Sequence, residues 1–102
     1  MKLFTIRRRN GWKTSAELER AASISARVGN EEMPDQVRWI RSYVVKEPNG
    51  ELGTVCIYQA VDEEAIREHA RRVGMPATEI NMVETTVIVR DDPSQNQAEA
   101  AE

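Results

Sequence analysis

Apolar residues recur along this chain at two alternating spacings, and each change of spacing marks an element. In residues 2–9, Phe4 and Ile6 alternate with Leu3 and Thr5 before three arginines, which predicts a strand that Gly11 interrupts. Thr14 and Glu17 stand at capping-box spacing, so a helix should start at Thr14 or Ser15. Its buried stripe would be Leu18, Ala21, Ala22, Ser25 and Val28, with Gly29-Asn30 at its end. Val37–Val45 and Leu52–Ala60 read as strands, joined at Glu47-Pro48-Asn49-Gly50, where proline presets φ and Asn-Gly accepts positive φ. Asp62 is a good N-cap for a second helix, whose stripe is Ile66, His69, Ala70 and Val73 and which Gly74 closes. Ile80–Val89 reads as a final strand. The tail from Asp91 offers nothing to bury and is expected to be disordered.

The order β-α-β-β-α-β, with right-handed crossovers, gives a ferredoxin-like α+β sandwich: a four-stranded antiparallel sheet with both helices on one face. Residues 1–90 form the single domain and 91–102 the acidic tail. Strand alternation then assigns faces. The aliphatic pair Val55 and Ile57 would lie under the helices with Phe4 and Ile6. The open face would collect Trp39, Arg41, Tyr43, Thr54, Cys56 and Tyr58, a surface too apolar to be left wholly in water. A second copy stacking on it would make a homodimer. A pocket between the two sheets is compatible with that arrangement.

Composition narrows the classes. The 102 residues suffice for one core only. No apolar run approaches a membrane helix, and the short apolar start runs directly into arginines, unlike a signal peptide, so a cytoplasmic protein is expected. A net charge of -3 argues against nucleic acid, although residues 1–13 carry five basic side chains and no acid. That basic cluster reads as a solvated strand edge. A single cysteine, Cys56, excludes an internal disulfide framework and a multi-cysteine zinc site, and a single histidine, His69, excludes a catalytic triad plus separate histidine ligands within one chain.

The runs Val37-Arg38-Trp39-Ile40-Arg41-Ser42-Tyr43-Val44-Val45, Cys56-Ile57-Tyr58-Gln59-Ala60, Glu64-Ala65-Ile66-Arg67-Glu68-His69-Ala70 and Gly74-Met75-Pro76-Ala77-Thr78-Glu79-Ile80 carry a likeness. Over about residues 36–83 the chain resembles a small, mostly bacterial family, domain of unknown function 4242, which is nickel-binding-protein-like. The resemblance implies a ferredoxin-like fold, usually dimeric, with nickel binding in some members. Cys56 and His69 fall on family positions. The chain lacks the N-terminal imidazoles of histidine-richer members.

The residues themselves leave three functions open. A thiolate and an imidazole suit nickel, zinc or copper, so Cys56 and His69 are candidate metal ligands. The face assignment sets them on opposite sides of the sheet, which is an objection to a site that uses both. Trp39, Arg41, Tyr43 and Tyr58 could instead line a small-molecule pocket, where Arg41 and the phenols would hold a carboxylate or enolate. In a pocket enzyme of isomerase or cyclase type, His69 or Tyr58 would move the proton. The third function is a structural dimerisation module without a ligand.

Overall fold

The structure, a computed structural model, describes residues 1–93. Strands β1 (Lys2–Trp12), β2 (Val37–Lys46), β3 (Leu52–Ala60) and β4 (Glu79–Met82) form one antiparallel sheet in the order β2-β3-β1-β4. Helices α1 (Ser15–Arg27) and α2 (Glu63–Val73) cover one face. This is the expected ferredoxin-like architecture. The core gathers Phe4 and Ile6 of β1, Cys56, Tyr58 and Ala60 of β3, and Ala65 and Ile66 of α2.

The helix termini follow from local chemistry. Thr14 Oγ1 accepts the Glu17 N–H at 3.2 Å, and Glu17 reaches back to the Lys13 N–H at 2.7 Å. Asp62 accepts the Ala65 N–H at 2.8 Å, and Gly74, at φ 82°, ends α2 in the left-handed conformation. Gly29-Asn30 does not end α1 cleanly. The chain continues through a π-helical turn, Val28–Glu32, in which Gly29 is buried and its Cα-side space opens onto the His69 ring. A hydrogen bond from Gly50 N–H to the Glu47 carbonyl, 2.9 Å, closes the β2–β3 hairpin, and only Gly50 has positive φ there.

Two expectations are corrected. The arginine run is not a solvated edge, because β1 is an inner strand of the sheet. Arg8 is 1% exposed on the helix side. Arg7 pairs with the buried Glu47 at 2.8 Å, and Glu47 also accepts the Asn10 N–H at 3.0 Å. These bonds hold the Glu47 carboxyl below its usual range, the Arg7 contact most of all. Asn10, at φ 50°, marks the irregularity that separates the Arg8 and Trp12 pairings.

The last strand is also shorter than expected. β4 stops at Met82, where its ladder with β1 runs out: Val83 N–H reaches the Leu3 carbonyl at 2.8 Å, near the start of β1. Without a further partner, Thr85–Val89 makes no ladder despite its branched composition, and Val87, Ile88 and Val89 are 74–85% exposed. Of the expected tail, Asp91–Pro93 are described, and residues 94–102 lie outside the described residues.

Candidate functional site

Residues directly opposite one another in an antiparallel pair share a face. Phe4, Ile6 and Arg8 oppose Tyr58, Cys56 and Thr54, and all six are buried on the helix side. Val55 and Ile57 therefore lie on the open face. This reverses the expected assignment of β3. The aliphatic pair looked like the core set, but the register with β1 ties Cys56 and Tyr58 to Phe4 and Ile6. The polar ends of the inward set find partners among themselves and on α1.

β2 carries a second correction. Trp39 opposes Tyr58 and Arg41 opposes Ile57, so Ile40 is an extra residue without a counterpart. One such residue exchanges the faces of everything beyond it. Trp39 lies on the helix side, and so do Ser42 and Val44, opposite Cys56 and Thr54. Arg41 and Tyr43 lie on the open side and both bond Asp92; the Arg41 contact is 2.7 Å. The expected common surface of Trp39, Arg41, Tyr43 and Tyr58 is thus split in two.

On the helix side, a cavity of about 430 Å³ lies between α1 and the β2–β3 half of the sheet. Small residues of α1, Ala21, Ala22 and Ser25, form its roof, and Cys56, Tyr58 and Thr54 are on its floor. A helix face built from small side chains leaves space that leucines would fill, and this is where the sequence creates the cavity. Trp12, from the end of β1, and Trp39 are aromatic walls, with Met75 and Leu18 adding apolar surface. Arg8 lines it too.

Polar groups around the cavity form a connected chain. Trp39 Nε1 donates to Ser42 Oγ at 2.8 Å, Ser42 Oγ donates to Cys56 Sγ at 3.0 Å, and Cys56 Sγ is 3.2 Å from Thr54 Oγ1. Tyr58 stacks on Trp39 with ring centroids 6.1 Å apart, and its phenol meets Ser25 Oγ at 3.0 Å. Burial pushes the Tyr58 phenol above its ordinary value, although the Ser25 bond opposes the shift. Arg8 extends its guanidinium over the Tyr58 ring, 5.9 Å from the centroid, and donates from Nη1 to the Pro76 carbonyl at 2.7 Å. Its Nη2 has no partner among the described residues.

His69 is on the same side of the sheet as Cys56, so the geometric objection to their convergence is removed. It is nonetheless 1% exposed and is not among the residues that line the cavity. Its Nε2 lies 3.1 Å from the Ser25 carbonyl, which can only accept, so Nε2 carries the proton and Nδ1 is left with a free lone pair. Burial lowers its pKa, and Arg8 and Arg72 push the same way. Cys56 is buried and engaged by Ser42 and Thr54. Among the described residues, no group of three His, Cys, Asp or Glu comes together around a point where a metal ion could sit. Cys56 and His69 within one chain therefore do not fit a nickel centre.

Sequence reasoning singled out Cys56, Tyr58 and Trp39, which border the cavity, Arg41, which borders it while its guanidinium bonds Asp92, and Tyr43, which meets Asp92 on the open side. It placed Thr54 on the same face as Cys56 and Tyr58 and Ser25 on the buried stripe of α1 without giving either a role, and it missed Arg8 and Ser42. The signal for Arg8 was available: it has the same strand parity as Phe4 and Ile6, an arginine at a core-facing position.

Fold and site together define a small ferredoxin-like protein with a half-open, largely apolar cavity under its first helix. The chain belongs to the family described as nickel responsive protein SCO4226-like, whose model matches residues 4–83. It is similar in fold to the crystal structure of SCO4226 from Streptomyces coelicolor A3(2), with a TM-score of 0.63 and 21% identity, over 83% of this chain and 99% of that one. No curated protein matches the chain. Among the described residues, no helix is long and apolar enough to cross a membrane.

Proposed function

We propose that this protein binds a small molecule in the cavity between α1 and the sheet. The cavity itself carries the reading. Its volume of about 430 Å³ is within the range of small-ligand sites, and its lining is an apolar shell with a few converging polar groups. Trp12, Trp39, Cys56 and Tyr58 are the walls, and Arg8, Ser42 and Thr54 supply hydrogen-bonding groups. The family description attaches nickel to this fold, but Cys56 and His69 supply only two donors: the thiol is engaged by Ser42 and Thr54, and the free Nδ1 of His69 is buried outside the cavity lining. A metal role would need donors from elsewhere. Acid–base catalysis by His69 finds no support in its position outside the lining. The Tyr58 phenol is held by Ser25 and pushed away from the neutral range.

The test is a panel of small apolar fragments, charged and uncharged, followed by amide NMR. Fragments that bind should shift the signals of Ala22, Ser25 and Tyr58. Ala22→Phe, which fills the roof of the cavity, should abolish those shifts while the fold is retained. Shifts confined to other surfaces, or binding unaffected by Ala22→Phe, would refute the reading.

A second copy of the chain on the open sheet face is favoured by a separate observation. The single chain leaves Val87, Ile88 and Val89 exposed beside a groove lined by Leu3, Thr5, Tyr43 and Ile57. An exposed apolar run of this kind is the usual mark of an interface. The expected result in sedimentation is a dimer that Ile88→Asp converts to a folded monomer. A monomeric wild-type chain would end this part of the proposal.

A further inference from the structure

Arg8 is the group that the fold itself does not explain. A guanidinium presents five N–H donors in a rigid fork and a full positive charge. At 1% exposure it is taken out of water almost entirely, yet among the described residues it forms no ion pair. Its compensation is one backbone carbonyl, that of Pro76, and the face of the Tyr58 ring. Nη2 has no acceptor. Buried cations are normally paired, and an apolar side chain of similar length would pack in this place without the desolvation cost. An uncompensated charge of this kind in a cavity wall points to a counter-charge that arrives from outside.

The rest of the lining limits what that counter-charge can be. The walls are Trp12, Leu18, Ala22, Trp39 and Met75, and most of the ligand's surface would therefore be apolar. Among the described residues, Arg8 and Arg41 are the cations that border the space, and the Arg41 guanidinium is already bonded to Asp92. Glu19 of α1, exposed, also borders the cavity and disfavours a second negative charge. Phosphate esters, which call for several donors, fit this setting poorly. A planar carboxylate matches the guanidinium fork.

We infer that the cavity takes an apolar monocarboxylate, an alkyl or aryl acid, whose carboxylate is received by Arg8 and whose hydrocarbon part lies between Trp12 and Trp39. This rests on the small-ligand reading above and specifies its chemistry. Ser42 and Thr54, which also line the cavity, offer hydroxyls to complement the acid.

Octanoate and its uncharged counterpart octanamide test it by calorimetry, on the wild-type chain and on Arg8→Met. The expected result is that octanoate binds about tenfold to a hundredfold more tightly than octanamide, the size of a charge-assisted hydrogen bond, and that Arg8→Met removes the difference. Equal binding of the two compounds by the wild type would overturn the carboxylate assignment and leave the small-ligand reading standing. A preference for octanoate that survives in Arg8→Met would overturn the role of Arg8. If neither compound binds at millimolar concentration, both readings fall. Should Arg8→Met not fold, the wild-type comparison decides between acid and amide, and Arg8→Lys, which keeps the charge but loses the fork, should retain a reduced preference for octanoate.

Discussion

Tyr58→Ala is expected to destabilise the fold by about 3–5 kcal/mol, the cost of removing a large buried aromatic ring. Tyr58 is 2% exposed and stands at the junction of both layers. Its ring stacks on Trp39 at an interplanar angle of 8°, tilts against His69 with centroids 5.5 Å apart, and lies under the Arg8 guanidinium. Alanine would open a void beside the existing cavity. Tyr58→Phe separates the two functions of the residue. It keeps the ring and deletes only the bond to Ser25 Oγ, so its cost should be about 0.5–1.5 kcal/mol. Urea denaturation of the three proteins reads both values. If Tyr58→Phe proved as damaging as Tyr58→Ala, the stability would reside in the hydroxyl and the packing account would be wrong.

The second large effect is a dependence of stability on pH through His69. Burial lowers its pKa in the folded protein from the ordinary 6.5, aided by Arg8 and Arg72 and opposed by the bond to the Ser25 carbonyl. Below pH 6.5 the unfolded chain takes up a proton that the folded chain refuses, so acid favours unfolding. This contribution is intact above pH 6.5. It is lost as the pH falls toward the folded pKa, with a slope that approaches about 1.4 kcal/mol per pH unit for one proton. Arg8 and Arg72 are the charged groups that act on the ring, and neither changes state in this window. His69→Gln keeps an N–H donor for the Ser25 carbonyl but has no proton to gain. Denaturation midpoints measured between pH 7.5 and about pH 5 should therefore fall more steeply in the wild type than in His69→Gln. Parallel profiles would show that His69 is not the group responsible.

The faces of β2 and β3 show why the site was harder to read than the fold. The element order follows from features within each segment: the Thr14–Glu17 box, the Asp62 cap, the left-handed Gly74 and the Gly50 turn. Each is a short-range physical constraint, and the architecture follows from their sequence. The placement of Cys56 and His69 on one side of the sheet follows from no such constraint. In β3 both faces carry plausible core residues, Val55 and Ile57 on one and Cys56 and Tyr58 on the other. Only the pairing with Phe4 and Ile6 decides between them. In β2, alternation alone places Trp39, Arg41 and Tyr43 together. The unpaired Ile40 separates Trp39 from the other two, and nothing in the run Val37–Val45 announces a bulge.

The sequence by itself determined the ferredoxin-like order of elements, their caps and turns, and the stripe of small residues on α1, because these depend on neighbours three or four positions away. The tertiary structure decided which side of the sheet each strand residue occupies, because a single extra residue or a choice of register inverts a whole strand. It decided where the last strand ends, because a ladder needs a partner and β1 supplies none beyond Leu3. It also decided that one of three adjacent arginines, Arg8, is buried against Tyr58 and not solvated, because the parity of β1 turns it to the helix side, where the Pro76 carbonyl and the Tyr58 ring meet its guanidinium.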